Sequence, residues 1–120
     1  MSETITFSAP IRIKSQANLR QHWRKKSCEK QFNLTILKFH TPKSLPKLPV
    51  RITLIRISPR FIDDDNLQFA MKEFRDFIAD VLIPGLQMGR ADNDPRLSWA
   101  YDQKKGAPHE YALKIVIESV

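Results

Sequence analysis

The sequence predicts a single α+β domain in which two helices pack on one mixed β-sheet. Segments near both ends of the chain alternate in polarity, and a segment in the middle is rich in β-branched residues. One long segment has the periodicity of a helix with a single apolar face. A length of 120 residues is enough to bury one core without disulfides. The expected order is β(β)αβαββ, with one domain over residues 1–120.

The start of the chain is predicted to form a strand followed by a basic loop. Thr4 to Ala9 alternates in polarity and predicts the first strand. Ile11 to Lys14 either extends that strand or forms a short one of its own. Residues 15–26 have no clear period, so a loop is expected there.

A helix and a strand are predicted next. Ser27 is a candidate cap for a helix that runs to His40, although the alternation within this segment also permits a strand. Three prolines in residues 41–49 predict a connector. Residues 50–58 predict a strand, and the change of phase at Leu54-Ile55 indicates either a bulge or a strand covered on both faces.

The clearest element is an amphipathic helix that ends near Leu82, before Pro84-Gly85. Asp65 with Gln68 three residues later predicts a capping box at its start. The apolar residues recur every three or four positions, at Leu67, Ala70, Met71, Phe74, Phe77, Ile78, Val81 and Leu82.

Two alternating segments close the chain. Leu97 to Tyr101 and Tyr111 to Ile117 each place apolar residues at every second position. Residues 103–108 between them have the composition of a turn, which predicts that the two strands pair as an antiparallel hairpin.

Charge is distributed unevenly along the chain. The net charge is +7, but residues 1–60 carry 13 Lys and Arg against two acids, whereas residues 61–120 carry 7 against 11. A basic half attracts polyanions, and a concentrated acidic spot repels them unless a cation is bound. The single cysteine, Cys28, excludes a disulfide framework, and no apolar run suggests a membrane span, so a cytoplasmic protein is expected.

Two acidic clusters are the candidate chemistry. Adjacent carboxylates raise one another's pKa unless a cation compensates. A helix cap needs only one aspartate, so it does not by itself explain the three consecutive residues Asp63-Asp64-Asp65. In an extended segment Asp63 and Asp65 point to the same side. The second cluster, Arg90 to Pro95, has turn residues. The open alternatives are a cap and a turn, or one Mg²⁺ site with oxygen ligands from both segments.

Cationic residues supply candidate contacts to phosphate groups. The basic segment before the predicted helix contains one aromatic residue, Trp23, which either stacks a base or packs on the core. The lysines of the last turn either contact a phosphate backbone or serve solubility. The candidate nucleic-acid contacts are Arg20, Arg24, Lys25, Lys26 and Lys105.

A strand, an Asp-x-Asp-Asn-Leu sequence at a helix start, an acidic turn about 25 to 30 residues later and a closing hairpin together resemble the RusA family of Holliday-junction resolvases. These are small phage and prophage endonucleases. The first motif is matched by residues 63–68 and the acidic turn by Asn93-Asp94, where Asp94 takes the position of an essential carboxylate. Asn18 falls at a loop asparagine of the family. Phe69 stands where the best-known pattern has a functional lysine, and Lys72 lies one turn further on the same face.

The resemblance implies a Mg²⁺-dependent endodeoxyribonuclease that resolves four-way DNA junctions as a homodimer. The implied ligands of Mg²⁺ are Asp63, Asp65 and Asp94, with Lys72 neutralising charge on the phosphate. It also implies a phage or prophage origin in a bacterial host. Two alternatives remain from the residues themselves: a non-catalytic basic DNA-binding domain, and a structural protein whose basic half binds an acidic partner.

Overall fold

The computed structural model describes residues 3–13, 23–85 and 91–120, with side chains of the second range described from residue 28 onward. The predicted fold class, two helices on a mixed four-stranded sheet, is confirmed. In chain order the elements are β1 (Thr4–Ala9), α1 (Trp23–His40), β2 (Val50–Ser58), α2 (Asp64–Leu82), a short 3₁₀ helix (Ala91–Asn93), β3 (Leu97–Lys105) and β4 (Ala112–Ser119).

The strands lie in the order β1-β4-β2-β3. β4 is antiparallel to β1 and to β2, whereas β2 and β3 are parallel and are joined through α2. The predicted hairpin of the last two strands is wrong, because β2 lies between them. Gly106 donates its N–H to the Ser58 carbonyl at 2.9 Å, so the chain passes over the end of β2 before β4 begins.

The core lies between the sheet and the helices. β2 alternates in burial along its whole length and pairs without interruption with both neighbours, so the predicted bulge is wrong. On its opposite face Arg51 is exposed, whereas Thr53, Ile55 and Ile57 are half-buried. The largest fully buried side chains on the sheet and on α2 are Ile52, Leu54, Leu113, Ile115, Ile117, Met71, Phe74 and Ile78.

Three predicted boundaries differ from the structure. α1 begins at Trp23 rather than after Ser27, since the intervening Arg and Lys are good helix formers. No strand forms at residues 11–13, although Ile11 and Ile13 are buried, because Pro10 interrupts the β backbone. Asp63, not Asp65, is the N-cap of α2.

The lengths and hydropathy of the helices also bear on membranes. Among the helices that the structure describes, none combines the length and the apolar character needed to cross a lipid bilayer.

Candidate functional site

β2 and β3 end side by side, with Ser58 paired to Lys105, and α2 begins at Asp64 a few residues later. We call this end of the molecule the carboxyl edge: the ends of β2 and β3, residues 59–65, and the exposed face of α2 from Asp65 to Lys72. In open sheets with parallel strands, ligands bind outside the carboxyl ends of the strands. The carboxyl edge is therefore the candidate site.

The three consecutive aspartates are all exposed at this edge. Asp63 has the extended backbone of an N-cap, and its carbonyl accepts the Leu67 N–H at 2.8 Å, but its carboxylate makes no capping hydrogen bond. Asp64 and Asp65 belong to the first turn of α2, where the helix dipole stabilises negative side chains. The helix thus accounts for acidic residues here, while the Asp63 carboxylate remains available to a ligand.

The segment that leads to Asp63 is fixed by a side chain of β3. The Gln103 amide donates from Nε2 to the Ile62 carbonyl at 2.8 Å and accepts the Ile62 N–H through Oε1 at 2.9 Å. Two such hydrogen bonds replace the backbone partner that a strand would supply. Gln103 therefore fixes the position of Ile62, and with it the position of the aspartates that follow in the chain.

A buried arginine supports the same segment. Arg56 is 6% exposed and donates to the Ile13 carbonyl at 2.9 Å, to the Arg60 carbonyl at 2.6 Å and to Gln103 Oε1 at 3.4 Å. Burial lowers the pKa of Arg56, and the nearby Arg12 lowers it further. These hydrogen bonds tie three separate parts of the chain together at the carboxyl edge.

Arg56 and Gln103 were not among the predicted site residues. A sequence signal exists for Arg56, because it falls in the buried phase of β2, two residues after Leu54. An unaccompanied charge on an otherwise apolar strand face indicates a buried hydrogen-bonding role. Gln103 carries no such signal, since its role depends on being paired opposite Arg56 in the sheet.

Three exposed positive side chains belong to the same edge as the aspartates. Arg60, Lys72 and Lys105 are all exposed at the carboxyl edge, and Lys72 lies two turns along α2 on the same side as Asp65. The predicted DNA contact Lys105 thus lies near the aspartates. Two other predicted DNA contacts, Asn18 and Arg20, lie outside the described residues. The remaining three lie in the first turn of α1, where the structure describes the backbone but not the side chains: Arg24, Lys25 and Lys26.

The second acidic segment has different surroundings. Arg75 of α2 approaches Asp92 Oδ2 at 3.4 Å and also donates to the Asp92 carbonyl at 3.3 Å and to the Tyr101 hydroxyl at 2.8 Å. Trp99 donates its indole N–H to the same Asp92 carbonyl at 3.0 Å. The Arg75 guanidinium lies 4.8 Å from the centre of the Trp99 ring. Asp92 therefore fastens the 3₁₀ helix to α2 and β3.

Asp94 is held by a neighbour in the chain. Arg96 donates from Nε to Oδ1 and from Nη2 to Oδ2, both at 3.0 Å, and its backbone N–H donates to Oδ1 at 2.9 Å. The side-chain hydrogen bonds, followed by the backbone one, lower the pKa of Asp94 from 3.8 to about 2. Both carboxylate oxygens of Asp94 are thus engaged by Arg96.

The two acidic segments lie at opposite ends of the parallel strands. The Asp94 carbonyl accepts a hydrogen bond from the backbone N–H of Leu97, at the start of β3. Asp63 follows Ile62, whose partner Gln103 lies six residues further along β3, about 20 Å at the rise of a strand. In the described parts of the chain, no three His, Cys, Asp or Glu side chains are grouped to hold a metal ion. The structure therefore places Asp63 and Asp65 at the carboxyl edge and Asp94 away from it.

The Asp94–Arg96 pair gives a prediction for pH dependence. Replacing Arg96 by Gln is expected to raise the pKa of Asp94 from about 2 toward its ordinary value of 3.8, which ¹³C NMR of the carboxylate measures. Because the folded pKa is depressed, the pair stabilises the fold above about pH 4 and ceases to do so as the pH falls toward 2. The stabilities of variant and wild type should therefore converge in acid.

Arg51→Gln is the matched control for that titration, because Arg51 is an exposed arginine of β2 with no carboxylate hydrogen bond to Asp94. The Asp94 titration should be unchanged in this variant. A pKa near 2 that persists after Arg96→Gln would show that another donor holds Asp94.

No protein-family model matches this sequence, and no curated protein matches it at a significant level. What the fold and the site define is an α+β domain with exposed carboxylates at the carboxyl ends of two parallel strands. The exposed basic residues of the same edge, Arg60, Lys72 and Lys105, are called the basic rim. The resemblance to the RusA family rests on the motif residues alone.

Proposed function

We propose that this protein is a Mg²⁺-dependent, structure-specific endodeoxyribonuclease that cuts four-way DNA junctions. The observation that carries the proposal is the carboxyl edge, where exposed Asp63 and Asp65 lie among Arg60, Lys72 and Lys105. Carboxylates in a basic surface oppose the binding of DNA phosphates unless a cation lies between them. The four-way junction as substrate comes from the motif resemblance to the RusA family.

Asp63 and Asp65 are suited to hold the metal. Mg²⁺ is commonly bound through one or two carboxylates, with the remaining positions left to water and phosphate, and both side chains are exposed oxygen donors. When bound, Mg²⁺ supplies a water of lowered pKa and neutralises phosphate charge. Asp94 does not fit as a third ligand in the described arrangement, because Arg96 engages both of its oxygens. A metal-binding role for Asp94 would require its release from Arg96.

The remaining residues of the edge bind and orient the substrate. Lys72 would stabilise negative charge on the oxygens of the scissile phosphate. Arg60 and Lys105 would bind flanking phosphates, with the basic segment before α1 extending that surface. Gln103 and Arg56 would hold residues 59–62, and with them Asp63, in a fixed position.

Two cuts are needed to resolve one junction, and one chain contains one such edge. We therefore propose a homodimer with twofold symmetry, since this is the commonest arrangement of two identical chains and matches the symmetry of a four-way junction. Each copy would then present its carboxylates to one of two equivalent strands.

A second candidate function is a non-catalytic basic DNA-binding domain. The occupied carboxylates favour it, because Asp92 is held by Arg75 and Asp94 by Arg96, as expected of turn residues with structural roles. In this case Asp63 to Asp65 would serve only the start of α2.

The test uses a synthetic four-way junction and a linear duplex with the sequence of two of its arms. We expect symmetric nicks in two opposing strands of the junction with Mg²⁺, none with EDTA, and none in the linear duplex. Asp65→Asn protein purified in parallel controls for contaminating nucleases. Binding that weakens steeply with salt, without nicks in Mg²⁺, would support the second candidate, and absence of both binding and cleavage would contradict both.

A further inference from the structure

Two phenylalanine rings are exposed to solvent at the carboxyl edge. Phe61 is 61% exposed and lies two residues before Asp63. Phe69 is 65% exposed and lies four residues after Asp65, so its side chain projects one turn further along the same side of α2. Large apolar rings thus occur on both sides of the carboxylates in the chain.

The exposure of Phe69 is a property of its position on the helix. In the first half of α2 the apolar stripe is buried, and Phe74 on that stripe is 1% exposed. Phe69 belongs to the opposite, charged stripe, between Asp65 and Lys72. It is therefore not part of the hydrophobic core of the described residues.

We propose that Phe61 and Phe69 stack on DNA bases at the branch point, next to the strand that the carboxylates approach. The proposal rests on DNA being the ligand of the proposed function. An aromatic face stacks on any base, and stacking beside a cationic groove is a general mode of binding unpaired nucleotides. Arg60 beside Phe61 and Lys72 one turn after Phe69 supply positive charge for phosphate groups, and the aspartates between the rings are the carboxylates that the proposed function assigns to a bound cation.

Stacking at these positions would supply preference for branched DNA. Phosphate contacts position a protein but are similar along any duplex, so the basic rim alone does not distinguish a junction from linear DNA. Within a linear duplex both faces of each base pair are covered by neighbours. At a branch point base pairs end a helix, and their outer faces are open to an aromatic ring.

The experiment measures binding in EDTA, where metal-dependent cleavage cannot interfere. Phe61→Ala and Phe69→Ala are each expected to weaken junction affinity by about 5-fold or more, the equivalent of one lost base stack. Affinity for linear duplex should change less than about twofold in the same variants. The matched controls are Phe32→Ala and Phe39→Ala on α1, which are 67% and 85% exposed and lie away from the aspartates in the chain. Neither control should change junction affinity.

Conservative changes separate stacking from apolar contact. Phe69→Tyr keeps the aromatic face and should retain wild-type affinity, whereas Phe69→Leu keeps apolar bulk and should bind as weakly as Phe69→Ala. A junction with 2-aminopurine at the branch point should show fluorescence quenching by wild type that Phe69→Ala abolishes. Equal loss of affinity for junction and duplex, or full affinity with Phe69→Leu, would overturn the proposal.

Three further outcomes distinguish this proposal from the others. If Phe69→Ala lowers the dimer content in analytical ultracentrifugation and leaves the affinity of the remaining dimer unchanged, the ring contacts a second copy and the stacking proposal fails. If the rings are needed for junction binding but Mg²⁺ supports no cleavage, the stacking proposal stands and the nuclease proposal fails. If cleavage is intact and the alanine variants bind normally, only the stacking proposal fails.

Discussion

Asp65→Asn is expected to lower the rate of Mg²⁺-dependent junction cleavage by at least about 100-fold without weakening junction affinity in EDTA, because a carboxylate without a cation opposes phosphate binding. The change keeps the shape of the side chain and removes its charge, and Asp65 is exposed, so folding should be unaffected. Loss of a residue that merely supports a metal ligand already costs about 10- to 100-fold, so loss of a ligand should cost at least as much. Single-turnover cleavage at saturating enzyme measures the effect.

Asp102→Asn is the control for Asp65→Asn, because it also removes one carboxylate and lies near the carboxyl end of β3. Asp102 is exposed, and its Oδ1 accepts the Gln103 backbone N–H at 2.8 Å, a contact that the Asn side chain can preserve. Cleavage should therefore continue at the wild-type rate. If Asp65→Asn cleaves as fast as Asp102→Asn, the aspartates of α2 serve only the helix terminus, and the second candidate function gains support.

Asp94→Asn then tests how far the described arrangement holds in the complex with DNA. Asp94 lies at the start of β3 and is paired with Arg96, so a rate close to that of wild type is expected if this arrangement persists. A loss as large as that of Asp65→Asn would show that Asp94 takes part in cleavage, as the resemblance to the RusA family implies, and that the start of β3 is arranged differently in the complex with DNA.

The elements with strong periodicity could be predicted from sequence, and their pairing could not. The apolar stripe of α2 and the alternation of β2 are local properties, and both elements occur where the sequence indicates them. The turn composition before β4 is equally local, but it does not determine which strands pair with β4. The contact from Gly106 to Ser58, which takes the chain across β2, joins residues 48 positions apart.

The candidate site likewise contains residues that could be predicted from the sequence and residues that could not. The aspartates at the start of α2 stand out in the sequence, because three adjacent carboxylates are conspicuous in a basic chain. The side chains that hold the preceding segment depend on the register between β2 and β3, which places Gln103 beside Arg56. The pairing of Asp94 with Arg96 joins residues only two positions apart, yet it was not predicted, because the acidic turn was interpreted as a turn or a metal ligand.

Arg56→Met is expected to lower the free energy of unfolding by about 2–3 kcal/mol. The carbonyls of Ile13 and Arg60 would lose a charged donor, and hydrogen bonds to charged groups contribute about 1.5–3 kcal/mol each. Removing a buried cation with no carboxylate partner in the described chain relieves part of this loss, since such a charge is costly to desolvate. The hydrogen bonds should outweigh that relief because Ile13 is buried and its carbonyl would be left without a donor.

Urea unfolding measures this change, and Arg51→Met is the matched control on the same strand, where the arginine is exposed. The control should stay within about 0.5 kcal/mol of wild type, as is usual for surface substitutions. The ranges 1–2, 14–22 and 86–90 contain no Asp or Glu, so they bring no acidic side chain to Arg56. If Arg56→Met equals or exceeds wild type in stability, relief of the buried charge outweighs the hydrogen bonds, and the three segments it contacts are held together by apolar packing instead.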